Sequence, residues 1–246
     1  MHEQRYTEIS TTGIPGLDEI LGGGYPRGRT ILVSGPAGSG KTTFGLQYLV
    51  SGIINEGEAG IYISFDERLE NVRNDVKSFE WDIQALEDQN LLVMIDGFSA
   101  RAGVSSNEKY QTRTDIDELL TQLISLIDEI RAERVVVDSI TAVALSLSDE
   151  ATIRKEILKL GAVMSSLSCT TLLTSEMTRS GEISRYGVEE FMASGCVVLD
   201  FDFKRHQGVR SITVRKMRGI SHQVTKRPAT IGNDGFKMFP SEQFYY

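Results

Sequence analysis

Short apolar runs alternate with amphipathic stretches through the first 175 residues of the chain. The apolar runs predict strands, and the stretches between them predict helices because their apolar positions recur every three or four residues. The predicted strands are Arg29–Ser34, Ala59–Phe65, Leu91–Ile95, Val135–Val137 and Thr170–Thr174, and the predicted helices are Lys41–Asn55, Leu69–Glu80, Thr114–Ala132 and Ala151–Leu167. This alternation predicts an α/β fold with a mostly parallel central sheet flanked by helices on both faces.

The pattern changes in the last fifty residues, where only strand signals follow one another. We predict strands at Cys196–Phe203 and Arg210–Met217 and a hairpin around Gly232–Gly235, all extending the sheet as antiparallel strands. Phe98–Gln111 carries Gly, Ser and Asn without periodicity, and we predict an exposed loop there. Because no composition break or internal repeat is visible, we predict a single domain over residues 1–246.

Acidic residues outnumber basic ones, and this charge balance disfavours nucleic acid as a partner. The formal net charge is −8, so the chain has no overall positive field for nucleic acid. No apolar run approaches the ~20 residues of a membrane span, and Met1–Arg5 lacks the apolar core of a signal peptide. We therefore expect a cytoplasmic protein without membrane contact, in which Cys169 and Cys196 are reduced core thiols.

The turn between the first predicted strand and the first long helix carries a complete phosphate-binding motif. Its residues match G-x-x-x-x-G-K-[ST] without a mismatch: Gly35, Pro36, Ala37, Gly38, Ser39, Gly40, Lys41 and Thr42, followed by Thr43. Glycines allow consecutive backbone amides to turn toward phosphate oxygens, and the positive end of the following helix adds to their field. We predict that Lys41 binds the β- and γ-phosphates of a nucleotide and that the Thr42 hydroxyl is a Mg²⁺ ligand.

Asp138 ends the apolar strand that starts near Arg134, the pattern expected of a metal-binding carboxylate in this class of site. A carboxylate at the carboxyl end of a sheet strand faces the ligand crevice of an α/β fold. The alternative for an isolated Asp in this position is a surface residue that follows a core strand. Beside a complete phosphate-binding motif, we predict that Asp138 holds Mg²⁺ directly or through water.

Two adjacent acids, Asp66 and Glu67, end another predicted strand. ATP hydrolysis needs a group that orients and polarises the attacking water, and a carboxylate can do this. Since adjacent side chains of a strand point apart, we expect only one of the two to face the phosphate. The alternative is that they cap the helix predicted to begin at Leu69.

With these motifs placed, the chain resembles the KaiC family of ATPases over nearly its whole length. The resemblance also rests on Gly13–Asp18, Asp138–Ala142, Thr174–Glu176, Arg185–Phe191 and Lys216–His222. It implies a RecA-like P-loop fold that binds ATP and Mg²⁺ and hydrolyses ATP slowly. The family carries its hydrolytic base at the position of the two acids. Glu67 keeps the family's residue and Asp66 is shorter than the usual Glu, which leaves open which of them is the base.

The resemblance further implies a homo-hexameric ring with ATP or ADP between subunits. In that ring Lys216, Arg218 and Arg210 would contact the γ-phosphate bound by a neighbouring subunit, with His222 near the ribose or phosphates. Glu190 and Phe191 stand where the clock proteins autophosphorylate Ser and Thr, so nothing in these residues supports autokinase activity.

The basic residues of the last third admit two other interpretations. They form either a nucleic-acid stripe or a plain solvated strand face, and comprise Lys204, Arg205, His206, Arg210, Arg215, Lys216, Arg218, Lys226 and Arg227. The first would make the chain a RecA-like recombinase accessory or helicase-like ring, which its acidic composition disfavours. A third hypothesis is a scaffold that binds ATP to assemble and barely hydrolyses it.

Overall fold

A computed structural model describes residues 8–112, 115–144, 149–177, 182–204 and 207–243 of the chain. Its strands are β1 (Ile9–Ser10), β2 (Tyr25–Pro26), β3 (Thr30–Gly35), β4 (Gly60–Ser64), β5 (Leu92–Asp96), β6 (Tyr110–Gln111), β7 (Arg134–Asp138), β8 (Thr170–Glu176), β9 (Gly195–Lys204), β10 (Gln207–Met217), β11 (Arg227–Gly232) and β12 (Gly235–Met238). Its α-helices are α1 (Leu17–Leu21), α2 (Lys41–Ser51), α3 (Leu69–Asp75), α4 (Ile83–Asp88), α5 (Phe98–Ala102), α6 (Ile116–Ile130), α7 (Ile140–Ala144), α8 (Glu150–Ser166) and α9 (Glu189–Met192).

Ten of these strands form one sheet in the order β12-β11-β10-β9-β3-β8-β7-β4-β5-β6. The strands from β9 to β6 in this order pair in parallel, whereas β10, β11 and β12 pair antiparallel at the other end. The predicted mostly parallel sheet with antiparallel C-terminal strands is therefore confirmed. The predicted hairpin is also present, with Gly232 paired to Gly235.

Helices cover both faces of the sheet and create two apolar cores. One core packs α1, α2 and α3 against alternate strand residues such as Val33 and Val136. The other packs α6, α7 and α8 against the opposite strand residues, including Leu32 and Val137. Because strand side chains alternate between the faces, a strand buried on both sides is apolar at nearly every position. Both cysteines are buried as free thiols.

The exposed loop predicted for Phe98–Gln111 is wrong in part. This segment contains the five-residue helix α5 and the two-residue strand β6, which pairs in parallel with β5. The helix predicted at Leu69–Glu80 ends at Asp75, and the short helix α4 follows. One to two turns are too short for a readable apolar period, so packing against the rest of the fold decides these elements.

Arg134, the first residue of β7, is fully buried and joins the N-terminal segment to the sheet. Its guanidinium lies 2.6 Å from the Glu58 carboxylate and donates hydrogen bonds of 2.9 Å to the carbonyl oxygens of Thr11 and Tyr48. It also lies over the Tyr48 ring, 4.5 Å from the centroid. Burial acts to raise the pKa of Glu58, but hydrogen bonds from Arg134 and Arg27 hold that pKa below its ordinary value.

No helix among the described residues has the length and apolar character needed to cross a membrane.

We expect Arg134→Leu to lower the free energy of unfolding by about 3 kcal/mol, measured by urea denaturation. The change removes one of the two arginines that pair with the Glu58 carboxylate. It also leaves the carbonyl oxygens of Thr11 and Tyr48 beside an apolar side chain. Arg154→Leu is the matched control, because Arg154 is exposed on α8 and its ion-pair partner among the described residues is Glu150, one turn away. That control should change stability by less than about 0.5 kcal/mol. Equal effects of the two substitutions would contradict a structural role for Arg134.

Candidate nucleotide site

At two positions, the loop between β3 and α2 has backbone angles that only glycine adopts without strain. Gly38 and Gly40 have φ values of 77° and 97°. A Cβ atom on Gly40 would lie 2.6 Å from Ile231 Cδ1 and 2.9 Å from the Phe236 ring. The Ser39 amide donates to the Pro36 carbonyl at 3.2 Å, which closes the turn. Local backbone freedom and the packing of the C-terminal hairpin thus both require glycine.

Lys41 and Thr42 begin α2 at the carboxyl end of the parallel strands. The Lys41 ammonium donates to the carbonyl oxygens of Gly35 and Pro36 at 2.9 and 3.1 Å. The Thr42 hydroxyl donates to Oδ2 of Asp138 at 2.7 Å, although the two residues are 96 positions apart. The sheet therefore brings together the two halves of the predicted site, as expected from the ends of neighbouring parallel strands.

Asp138 is almost completely buried and accepts three hydroxyl hydrogen bonds. Besides Thr42, the donors are the Tyr62 hydroxyl to Oδ2 at 2.7 Å and the Thr174 hydroxyl to Oδ1 at 2.5 Å. Tyr62 belongs to β4 and Thr174 to β8, so the strands on both sides of β7 hold this carboxylate. The orientation of Asp138 is thus fixed by the central sheet itself.

The Thr42 hydroxyl and the Asp138 carboxylate fit Mg²⁺. Both are hard oxygen donors, and Mg²⁺ in nucleotide sites takes one or two protein oxygens, with phosphates and water completing its shell. Among the described residues, no group of three or more His, Cys, Asp and Glu side chains could hold a metal ion. The residues present therefore suit an ion that arrives with a triphosphate and do not suit a closed protein metal cage.

Asp66 and Glu67 lie at the corner that follows β4 and line a crevice of about 340 Å³ together with the phosphate-binding loop. The Phe65 amide donates to the Asp138 carbonyl at 2.6 Å, and the Ser64 hydroxyl donates to the Glu67 carbonyl at 2.6 Å. These bonds place the corner beside Asp138 at the end of β7. Ala37, Gly38, Gly40, Lys41, Thr42, Thr43 and Asp138 line the same crevice.

The two acids have different electrostatic surroundings. The pKa of Asp66 is raised by burial and by the Asp138 carboxylate, although the Ser139 hydroxyl and the positive charges of Arg101 and Lys41 act to lower it. Burial also raises the pKa of Glu67, and the nearby carboxylates of Asp75, Asp138 and Asp66 raise it further. Glu67 is therefore the acid whose neighbours all favour the protonated form.

Two acidic crevice residues had no role assigned from the sequence. Asp75 ends α3 and Glu176 ends β8, and both line the crevice. A strand that ends in an acid was a usable signal for Glu176, whereas an acid at the end of a short helix gives no such signal for Asp75. Five carboxylates thus line the crevice together with Lys41, whose pKa is lowered by burial although Asp138, Glu176 and Asp66 act to raise it.

Lys216, Arg218 and His222 do not line this crevice. Lys216 pairs with Cys196, which pairs with Leu32 near the start of β3, and its ammonium donates to the Glu190 carbonyl at 2.6 Å. The backbone amide of Arg218 donates to the Ser194 carbonyl at 2.9 Å. His222 Nε2 is buried without a hydrogen-bond partner in the described part of the chain.

Arg210 lies apart from those three residues. Its guanidinium donates to the Gly38 carbonyl at 3.1 Å and lies over the Phe201 ring, 4.5 Å from the centroid. Arg210 thus contacts the phosphate-binding loop of its own chain.

The predicted basic stripe is partly neutralised. Lys226 lies 3.0 Å from Asp200 and 3.2 Å from Asp202, and Arg227 donates to the Glu242 carbonyl and the Gln223 side chain. The predicted stripe residues Arg205 and His206 lie outside the described residues, as does the side chain of Lys204.

Comparison with known proteins gives one consistent family. Residues 10–243 match the model of the KaiC ATPase family. The chain is 36% identical over 241 residues to the circadian clock oscillator protein KaiC of Parathermosynechococcus lividus, covering 98% of this chain and 44% of that relative. It therefore spans less than half the length of this KaiC.

Relatives of similar length occur in archaea. A UPF0273 protein of Pyrococcus furiosus is 39% identical over 236 residues, covering 94% of each chain. The crystal structure of a KaiC-like protein from Pyrococcus horikoshii matches with a TM-score of 0.84 and 35% identity, covering 96% of this chain and 100% of that one. The matching fold, the complete phosphate-binding loop and these relatives together show that the chain belongs to the KaiC family of RecA-like ATPases.

Proposed function

We propose that this chain forms one ATPase domain that hydrolyses ATP slowly with Mg²⁺ and acts as a homo-hexameric ring. The observation that carries the proposal is the contact between the Thr42 hydroxyl and the Asp138 carboxylate, beside Lys41 and an acidic corner. This arrangement combines a phosphate cradle, a metal-binding pair and a carboxylate base in one crevice. We place the ring in the cytoplasm, because a reducing compartment keeps buried thiols such as Cys169 and Cys196 free.

In this mechanism the phosphate-binding loop holds the triphosphate by its backbone amides and by Lys41. The start of α2 adds the partial positive charge of a helix N-terminus. A Mg²⁺ ion bound by Thr42 and Asp138 would supply positive charge to the β- and γ-phosphates. The five carboxylates of the crevice disfavour a triphosphate without a metal ion, since unscreened negative charges repel one another. The same carboxylates should make nucleotide binding depend strongly on Mg²⁺.

Glu67 is our candidate for the base that activates water. The pKa of Asp66 is raised by burial, but the Ser139 hydroxyl and the positive charges of Arg101 and Lys41 oppose that rise. The pKa of Glu67 is raised by burial and by neighbouring acids. A base whose pKa lies closer to the working pH transfers protons more effectively. Asp66 would instead hold the corner and shape the field around the attacking water.

The position of Lys216 and Arg218 supports a role in a neighbouring site. Neither residue lines the crevice of its own chain. In a head-to-tail ring each subunit presents one surface to the nucleotide held by the next, and a cation there stabilises charge on the transferred phosphoryl group. His222, with an unpartnered buried nitrogen, follows on the same segment. Arg210 contacts the phosphate-binding loop of its own chain. We therefore propose that it holds this loop, in addition to its proposed role at the interface between subunits.

The DNA-acting alternative has less support. The net charge is −8, and Lys226 of the basic stripe is paired with two aspartates. Steep loss of single-stranded DNA binding with added salt would favour that alternative.

Lys41→Ala should abolish ATP binding measured by calorimetry, and with it all turnover. Glu67→Gln should retain Mg·ATP binding and lower kcat by about 10²–10⁴-fold, because it removes the base and leaves the phosphate cradle intact. Asp66→Asn is the matched control for loss of one negative charge at the corner, and its kcat should fall less. Unchanged ATP turnover in Lys41→Ala would refute the site.

Two inactive variants should complement one another if the sites are shared between subunits. Lys41→Ala lacks the phosphate cradle and Arg218→Ala lacks the neighbour's cation, so each ring alone should be inactive. In rings co-expressed at equal ratio, roughly a quarter of the interfaces join an intact cradle to an intact Arg218, which should restore about that fraction of the wild-type rate. Light scattering should report hexamers for all three preparations. Monomers with robust turnover would remove the role assigned to Lys216 and Arg218.

Gly40→Ala should weaken ATP binding at least about tenfold, since its Cβ would meet Ile231 and Phe236 and shift the phosphate-binding loop. Gly57→Ala is the matched control. Gly57 also has a positive φ, of 72°, but no atom lies within 4 Å of the added Cβ. The control should therefore also place a side chain at a positive φ and yet bind ATP normally. Equal affinities in the two variants would contradict the steric explanation.

A further inference from the structure

The acidic corner, formed by Asp66 and Glu67, follows Phe65, whose backbone is held by hydrogen bonds at both its amide and its carbonyl. Its amide donates to the Asp138 carbonyl at 2.6 Å, and its carbonyl accepts a hydrogen bond of 2.7 Å from the Arg101 guanidinium. Phe65 itself is fully buried and immediately precedes Asp66 and Glu67. Any movement of this residue would therefore move both acids relative to the metal-binding carboxylate.

Arg101 lies on α5, which is fixed firmly to the sheet. Asp96 at the end of β5 accepts hydrogen bonds from the Ser99 amide at 2.9 Å and the Ser106 hydroxyl at 2.6 Å. At Gly97, directly before α5, a Cβ atom would lie only 2.3 Å from the Phe65 ring. The helix that carries Arg101 thus packs directly against the residue that Arg101 holds.

The Arg101 guanidinium also brings a positive charge to the corner formed by Asp66 and Glu67. Its Nε is buried without a partner in the described ranges, and its Cζ lies 5.7 Å from the centre of the Phe98 ring. Its positive charge stabilises the ionised carboxylate of Asp66, as that of Lys41 does from the other side. Three carboxylates meet at this corner, those of Asp66, Glu67 and Asp138, and a cation there offsets their repulsion.

We propose that Arg101 is a positioning residue for ATP hydrolysis, which fixes the backbone before Asp66 and Glu67 so that Glu67 faces the attacking water beside Asp138. The inference rests on the proposed function, because it assigns a role within the same site. The role proposed for Arg101 concerns the hydrolysis step and not the binding of nucleotide. Arg101 contacts neither the phosphate-binding loop nor the predicted interface residues among its described contacts, so ATP affinity and ring assembly do not depend on it.

The test compares Arg101→Met, Arg101→Lys and the control Arg68→Met in the full-length chain. Arg68 directly follows Glu67, is exposed, and its side chain has no recorded hydrogen bond or ion pair within the described part of the chain. Arg101→Met should lower kcat about 10- to 100-fold, the scale of a reacting group displaced by roughly 1 Å. The dissociation constant for Mg·ATP and the KM should change less than about twofold. Arg101→Lys should give an intermediate kcat, and Arg68→Met the wild-type value.

The outcomes separate this inference from the proposed function. A wild-type chain that binds Mg·ATP but shows no turnover contradicts the ATPase proposal and this role with it. Wild-type turnover with an unchanged kcat in Arg101→Met overturns only the role of Arg101. Equal loss of ATP binding and kcat in Arg101→Met, together with a lower melting temperature, indicates a purely structural residue and also overturns it. A fall in kcat of the same size in Arg68→Met shows that loss of any nearby positive charge has this effect, and it also overturns the role of Arg101.

Discussion

The hydrogen bond between Thr42 and Asp138 is the contact around which the site is built. It joins the first turn of α2 to the end of β7, two elements that are far apart in sequence and adjacent only because β3, β8 and β7 are parallel neighbours. Tyr62 and Thr174 hold the same carboxylate from the flanking strands. A hydroxyl and a carboxylate held in this way would need little rearrangement to bind a metal ion. The hydrogen bonds from neighbouring strands thus preorganise the site.

The strong negative charge of the crevice is its second physical constraint. The crevice that holds the single ammonium of Lys41 is also lined by the carboxylates of Asp66, Glu67, Asp75, Asp138 and Glu176. In the proposed function this charge would oppose binding of a bare triphosphate and would link nucleotide affinity to Mg²⁺. The two corner acids differ because cations and a hydroxyl offset the effect of Asp138 on Asp66, whereas the charges that act on Glu67 are all carboxylates. Two adjacent acids can therefore take different roles without a difference in local sequence pattern.

The antiparallel end of the sheet gives the basic residues of β10 two different surroundings. Arg210 lies at the end beside the phosphate-binding loop, whereas Lys216 pairs near the start of β3. One strand thus carries a cation for its own subunit at one end and the proposed cation for a neighbour at the other. In a ring this strand would connect consecutive nucleotide sites, because it is one rigid element with contacts at both ends.

The sequence by itself determined the parallel sheet, its antiparallel extension, the phosphate-binding loop and the candidate acids. These features are encoded in consecutive residues, as an apolar period, a glycine spacing or a strand that ends in a carboxylate. Only the tertiary structure decided that Asp75 and Glu176 line the crevice, that Arg210 contacts its own loop, and that α5 brings Arg101 to Phe65. Those contacts join residues from separate elements, so they depend on strand order and helix packing. A helix of five residues is moreover stabilised by its packing and leaves no periodic pattern to read.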